Sequence, residues 1–191
     1  HPSIELVFVD EVEWLIAYPY GCMEQRGSIL LGNINIYHYL TSADRLADTL
    51  DSTLRQDIVS GSLDVVDLQH DDQGWGWYSS YSSTPFFTCY ALKALLQTRD
   101  WATTYSITIP LSDNGRDFDT YVTRGLEWLI ANQQADGYWD GVSPDYIQDP
   151  VPLTAYMLYT LAEADTLGSS PTGLSDAIAN ATSWLQTAQN T

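Results

Sequence analysis

A chain of 191 residues, 45% of them apolar, is long enough for one domain with a buried core. Its 25 acidic side chains against 7 basic ones give a formal net charge of −18, which repels nucleic acid and acidic membrane surfaces. No run of 18 apolar residues is present to span a membrane, and two cysteines, Cys22 and Cys89, are too few for a disulfide scaffold.

The first helical pattern ends at Glu13-Trp14-Leu15-Ile16-Ala17, with the tryptophan on its apolar stripe. Pro19-Tyr20-Gly21-Cys22 follows and opens a second helix. The next helix runs past Val65 into the turn Gln69-His70-Asp71-Asp72-Gln73-Gly74-Trp75-Gly76-Trp77. Beyond it Phe87, Tyr90, Ala91, Ala94 and Leu95 recur at helical spacing, with Pro85 near the start. From Thr98 to Asp117 the pattern is less regular. Tyr105-Ser106-Ile107-Thr108-Ile109 alternates like a short strand, Asp113-Asn114-Gly115 signals a turn, and the segment reads as an elongated loop.

Glu127-Trp128-Leu129-Ile130-Ala131 then repeats the first block in five of five positions. It leads into Gln134-Ala135-Asp136-Gly137-Tyr138-Trp139. Leu153, Tyr156, Met157, Thr160 and Leu161 follow as a helix with the same spacing as the one at Phe87, and Pro152 lies near its start. Ser183-Trp184-Leu185-Gln186-Thr187 is a looser copy of the block. Trp14, Val65, Trp128 and Trp184 register as equivalent positions, one in each successive unit.

Each unit is thus a helix, a glycine-bearing turn and a second helix. Glycine is expected to stop the first helix by taking positive φ, and the aromatic after it to fold back onto the helix end. The fold class is all-α: a single domain over residues 1–191, built of stacked helical hairpins as in an α/α toroid. The last hairpin shows only its first helix, so the ring is expected to be incomplete, as in a fragment of a larger protein.

The chemistry lies at Cys22 and Gln25. They stand one helical turn apart, so their side chains meet. A cysteine at a helix N-terminus is a stronger nucleophile than a free one. It can attack the Gln25 carboxamide and expel ammonia, leaving a thioester open to amines, hydroxyls or water. By ordinary residue frequencies Gly-Cys-x-Glu-Gln arises by chance on the order of once in two thousand such chains. Cys89 aligns with Ala155 of the next repeat and reads as a small core residue. A Cys22–Cys89 disulfide would abolish the thioester.

Tyr18-Pro19-Tyr20-Gly21-Cys22-Met23-Glu24-Gln25 resembles the thioester site of the α2-macroglobulin and complement family in its bacterial or archaeal form. The hairpin repeat extends the resemblance over nearly the whole chain. The resemblance implies that Cys22 and Gln25 are the crosslinked pair, with Gly21, Glu24, Pro19 and Tyr20 as motif support. Tyr146 and Met23 are candidates for shielding the bond. It also implies a domain of a larger protein that captures target proteins, proteases among them, through their amines. Such a protein is a single-use trap rather than a turnover enzyme. It acts extracellularly, at the cell surface or in the periplasm, without cofactor or metal.

Some complement members supply a histidine about ten residues past an Asp-Gly pair, which directs the acyl group to hydroxyls. Counting from Gly137 reaches Ile147, flanked by Tyr146 and Gln148, and no histidine follows His70. Direct attack by amines is therefore expected, and the single Lys93 leaves few internal amines to consume the bond. Other functions of toroid folds fit less well. Nothing after Cys89 supplies the zinc-binding histidine of a prenyltransferase, and the Asp-x-Asp-Asp acid of a cyclase is missing. For a glycosidase, Asp136, Asp140, Asp145 and Asp149 offer carboxylates in what reads as ordinary loop chemistry. The remaining alternative is a non-reactive binding module that keeps Cys22 as a free thiol.

Overall fold

The computed structural model describes residues 21–110, 115–143 and 145–188. Among them are six helices and no strand: α1 (Met23–Ser42), α2 (Asp48–Val66), α3 (Pro85–Thr104), α4 (Phe118–Ala131), α5 (Pro150–Thr166) and α6 (Leu174–Ala188). The first block, with Trp14, lies outside the described residues. Helix starts follow local chemistry. Thr84 accepts from Phe87 N–H ahead of Pro85, Asp117 accepts from Thr120 N–H, and Asp149 accepts from Val151 N–H ahead of Pro150. The α5 start is thus at Pro150, earlier than Pro152 suggested.

Helices α1, α3 and α5 lie side by side as one row, with α2 against α1 and α3, α4 against α3, and α6 against α5 and α4. The core runs continuously between the two rows, from Leu30 and Ile34 through Phe87, Leu92 and Leu95 to Met157 and Leu161.

The repeat is visible in individual hydrogen bonds. Trp75 Nε1 donates to Val65 O at 2.8 Å, and in the next hairpin Trp139 Nε1 donates to Leu129 O at 2.8 Å. Both indoles are fully buried, so the aromatic after each turn does fold back onto its helix. Their backbone N–H groups donate to Thr88 Oγ1 and Thr154 Oγ1, tying each turn to the helix that follows. Gln69 Nε2 bonds Gln73 O and reaches Tyr121 O in the next hairpin; Gln133 Nε2 bonds Gly137 O and reaches Ala177 O. Helices α1, α3 and α5 also end alike. Asp44, Ser106 and Gly168 take positive φ at equal intervals along the chain, and the next N–H closes back on Leu40 O, Ala102 O and Ala164 O.

Four sequence expectations are corrected. The equivalent of Val65 is Leu129, one place after Trp128, because the indole bond rather than the tryptophan block sets the register. Trp128 and Trp184 are half-buried, since each reaches across to the turn of the preceding hairpin. Trp128 lies on Gly74, where a Cβ would come within 2.8 Å of its ring, and Trp184 stacks on Tyr138 at 5.0 Å. Residues 98–104 continue α3 instead of starting a loop, and 105–109 form no strand: Trp101 is fully buried and makes an edge contact with Tyr37 at 5.5 Å. Tyr90 and Tyr156 are half-buried, Tyr90 because its hydroxyl bonds Ser28 Oγ at 2.7 Å on the exposed face of α1.

Gly137 holds the expected positive φ of 99°, but in the earlier turn Gln73, not Gly74, occupies that position, at φ 81°. A Cβ on Gly137 would also meet Asn180 O at 2.5 Å. Gly137→Ala is therefore expected to cost about 2–4 kcal/mol, and Gln73→Gly to gain up to about 1 kcal/mol by relieving the left-handed backbone. Urea unfolding of the two variants, with opposite shifts in midpoint, is the check.

Candidate functional site

Cys22 is the N-cap of α1, with extended φ and ψ of −67° and 164°, and is 3% exposed. Helix N-termini leave their first N–H groups without partners, and a cysteine caps poorly compared with serine or aspartate. Two groups compensate. Gln25, at the third helical position, folds back so that Cys22 N–H donates to its Oε1 at 3.3 Å. Trp77 O, from the turn after α2, accepts from Met23 N–H at 2.9 Å. The Cys22 sulfur faces Gln25 N–H in the reciprocal half of this capping box, short of full hydrogen-bond geometry. The turn thus brings the Gln25 carboxamide oxygen to the Cys22 backbone N–H, three residues away.

Gly21 leaves room for the Arg26 side chain, which folds back to donate from Nε to Gly21 O at 3.2 Å and reaches Asp64 on α2. Pro19 and Tyr20 lie outside the described residues. Met23 is fully buried in the core beside Gly27, so it supports the turn from beneath rather than covering it. Glu24, in the first turn where the helix dipole favours an anion, accepts a hydrogen bond from Tyr146 Oη at 2.9 Å.

Tyr146 arrives from the loop between α4 and α5, 122 residues from Glu24. Its ring meets Phe86, Phe87 and Trp77 edge-on at 5.6, 5.9 and 6.4 Å, while 57% of the residue stays exposed. Donation to the Glu24 carboxylate raises the phenol's pKa, helped by slight burial and by the charges of Glu24 and Cys22. Next to it, Asp145 is only 4% exposed. Its carboxylate accepts from Thr84 Oγ1 at the start of α3 and from Val142 N–H at 3.2 Å. Burial raises its pKa, opposed by these bonds and by Phe86 N–H.

Residue 147, reached by counting, is not the one that faces the site. Ile147 packs against the core, and Tyr146 is the loop residue that reaches Glu24. Asp136 and Asp140 are exposed and Asp149 caps α5, so the acidic loop forms no paired-carboxylate cleft. His70 braces its own turn, its Nδ1 2.9 Å from Ser83 Oγ, which donates to Asp72. Cys89 is fully buried with Sγ 3.1 Å from Thr160 Oγ1, and burial pushes its thiol up to about 12. Both cysteines are unbridged.

Phe86 and Arg26 carried no signal at the level of motif. Trp77 stood in a turn already recognised as a repeat, and Asp145 was read only as one of several loop carboxylates.

A family model described as the A-macroglobulin TED domain matches residues 2–191. The chain is 27% identical over 135 residues to an α2-macroglobulin of Thermotoga maritima, an alignment covering 71% of this chain and 8% of that protein. It is 25% identical over 177 residues to the thioester-containing protein 1 allele S3 of Anopheles gambiae, covering 86% of this chain and 12% of that one. It thus spans about a tenth of the length of these relatives. Among solved structures, native α2-macroglobulin of Escherichia coli, from domain MG7 to the C-terminus, superimposes with a TM-score of 0.50 at 20% identity, over 91% of this chain and 30% of that one.

The site's two anchors differ in cost. Asp145→Ala leaves buried donors without an acceptor and is expected to destabilise by about 2 kcal/mol, whereas Tyr146→Phe deletes one exposed hydrogen bond and costs less than about 1 kcal/mol. Urea unfolding of both variants reads the difference.

Proposed function

Because this chain belongs to the A-macroglobulin TED-domain family, we propose that Cys22 and Gln25 form an internal thioester through which its parent protein captures target proteins covalently. The observation that carries this reading is the contact of Cys22 N–H with Gln25 Oε1 within one turn. The Cys22 thiol gives up its proton and attacks the Gln25 side-chain carbonyl carbon as the thiolate; the C–S bond forms, the C–N bond breaks, and the carboxamide nitrogen takes up that proton and leaves as ammonia. Negative charge gathers on the former Oε1 in the tetrahedral intermediate. The Cys22 N–H, at the positive end of α1, donates to that oxygen and stabilises it. The same donor serves the second step, in which a target amine attacks the carbonyl, the C–S bond breaks and the Cys22 thiol is released.

Each molecule acts once, since the captured target stays joined to Gln25 through a stable amide. The Tyr146 ring and its hydrogen bond to Glu24 restrain access to the bond until the parent protein rearranges. Capture of protein targets, proteases among them, places the working site outside the cytoplasm, in the extracellular space, at the cell surface or in the periplasm. The hairpin repeats belong to a larger helical toroid of the parent, whose other domains bear on the site. Among the described residues no helix is long and apolar enough to cross a membrane.

Two measurements test the proposal. Intact protein should weigh about 17 Da less than its sequence, and methylamine should add at Gln25 while freeing one thiol at Cys22. Full thiol titration with no mass deficit would instead make the domain a non-reactive binding module. In competition at equal concentration methylamine should outcompete glycerol. Tyr146→His should raise the glycerol share at least about threefold, by placing an imidazole where the phenol now reaches the site. Ile147→His, at a core-facing position, should not.

A further inference from the structure

The chain carries six arginines and one lysine, Lys93. Guanidinium groups stay protonated at any working pH, so arginine supplies positive charge without a nucleophile. Lys93 is therefore the only side-chain amine in the sequence able to attack an acyl group, and its surroundings bear on a domain that presents one.

Lys93 Nζ lies 2.7 Å from both carboxylate oxygens of Glu163 on α5 and donates to Tyr159 Oη at 3.2 Å. It also sits over the Tyr159 ring, 4.4 Å from the centroid. The side chains of the ion pair are 18% and 15% exposed, and Gln97 Nε2 holds the same carboxylate at 2.5 Å. An ammonium has three donors and no lone pair. Here its hydrogens have acceptors in a carboxylate and a phenol, and the stem is packed between α3 and α5. The position matters because Phe87, which touches Tyr146, is six residues upstream on α3, about 9 Å along the helix axis. A released Lys93 side chain is an amine that the acyl group of another copy can take.

We infer that Glu163 and Tyr159 hold Lys93 as a bound ammonium to keep the domain inert toward thioesters of its own kind, so that acyl transfer is reserved for foreign amines. This rests on the thioester reading above. It makes Glu163 a specificity-determining residue that acts through Lys93 and not by touching the reacting atoms.

The test combines amine labelling with self-adduct formation. With N-hydroxysuccinimidyl acetate, and peptide-level mass spectrometry of the native chain, Lys93 should be acetylated at least about tenfold more slowly than a lysine in an unstructured peptide. Glu163→Gln should bring it within about threefold of the peptide, and the surface change Tyr159→Ala should give an intermediate rate. On samples shown to take up methylamine, Glu163→Gln should form covalent self-adducts that vanish in Glu163→Gln/Lys93→Arg. Peptide-like labelling of wild-type Lys93, absence of adducts once Lys93 is freed, or adducts persisting in the double variant would each overturn the inference. The labelling rates require no thioester. Slow Lys93 labelling with no methylamine uptake would therefore mark failure of the thioester reading, not of the lysine's sequestration. Should Glu163→Gln not fold, the wild-type and Tyr159→Ala rates and adducts decide the matter.

Discussion

The indole N–H of Trp75 bonds the carbonyl of Val65 in a fully buried setting, and much of the site follows from that contact. The bond satisfies the buried indole N–H, and the turn after α2 closes with the ring over the helix end. Once closed, the turn presents Trp77 O to the N-terminus of α1 and the Trp77 ring to Tyr146. The same contact at Trp139 and Leu129 sets the next turn, from which the loop carrying Asp145 and Tyr146 departs. One side-chain bond, used twice, therefore closes the two turns that flank the site.

The local rule that the site breaks is helix capping. Serine, threonine or aspartate at the N-cap would satisfy the first turn at a gain of about 1 kcal/mol over a side chain that caps poorly. The chain uses those residues ahead of α3, α4 and α5, but places alanine ahead of α2 and cysteine ahead of α1. Gln25 and Trp77 O supply part of what the cap lacks. A conflict between local preference and the observed residue, resolved by partners brought from elsewhere, is the pattern expected where chemistry outranks stability.

The covalent capture proposed for this domain would also constrain the rest of the surface. A group that acylates amines is dangerous to any amine nearby, and the domain combines an arginine-for-lysine bias with an engaged Lys93. The acidic surface raises solubility without adding a nucleophile of amine strength. Salt adaptation would produce a similar composition, but it does not by itself call for a lysine whose ammonium is bonded to both oxygens of one carboxylate.

Much of this protein was legible in sequence because its determinants are local. The three-residue interval from Cys22 to Gln25 becomes one helical turn wherever a helix begins, and helical spacing at Phe87 and Leu153 marks faces that must be buried in any packed arrangement. Repeated blocks exposed the hairpin unit, since similar local sequence meets similar neighbours. What sequence could not settle depends on distance in space. Trp128 and Trp184 looked like core residues, but each packs on the turn of another hairpin, and only the stacking of hairpins reveals that. Gln73 adopts the left-handed backbone that glycine would take, because the Gln69 and Trp75 bonds over-determine the turn. Counting along the loop pointed to Ile147. The buried anchor Asp145, held by Thr84 from 61 residues away, instead sends Tyr146 to Glu24 and Ile147 to the core. A motif fixes which atoms can react when they lie within one turn of helix; which side chains surround them is decided by tertiary contacts that no interval in the sequence encodes.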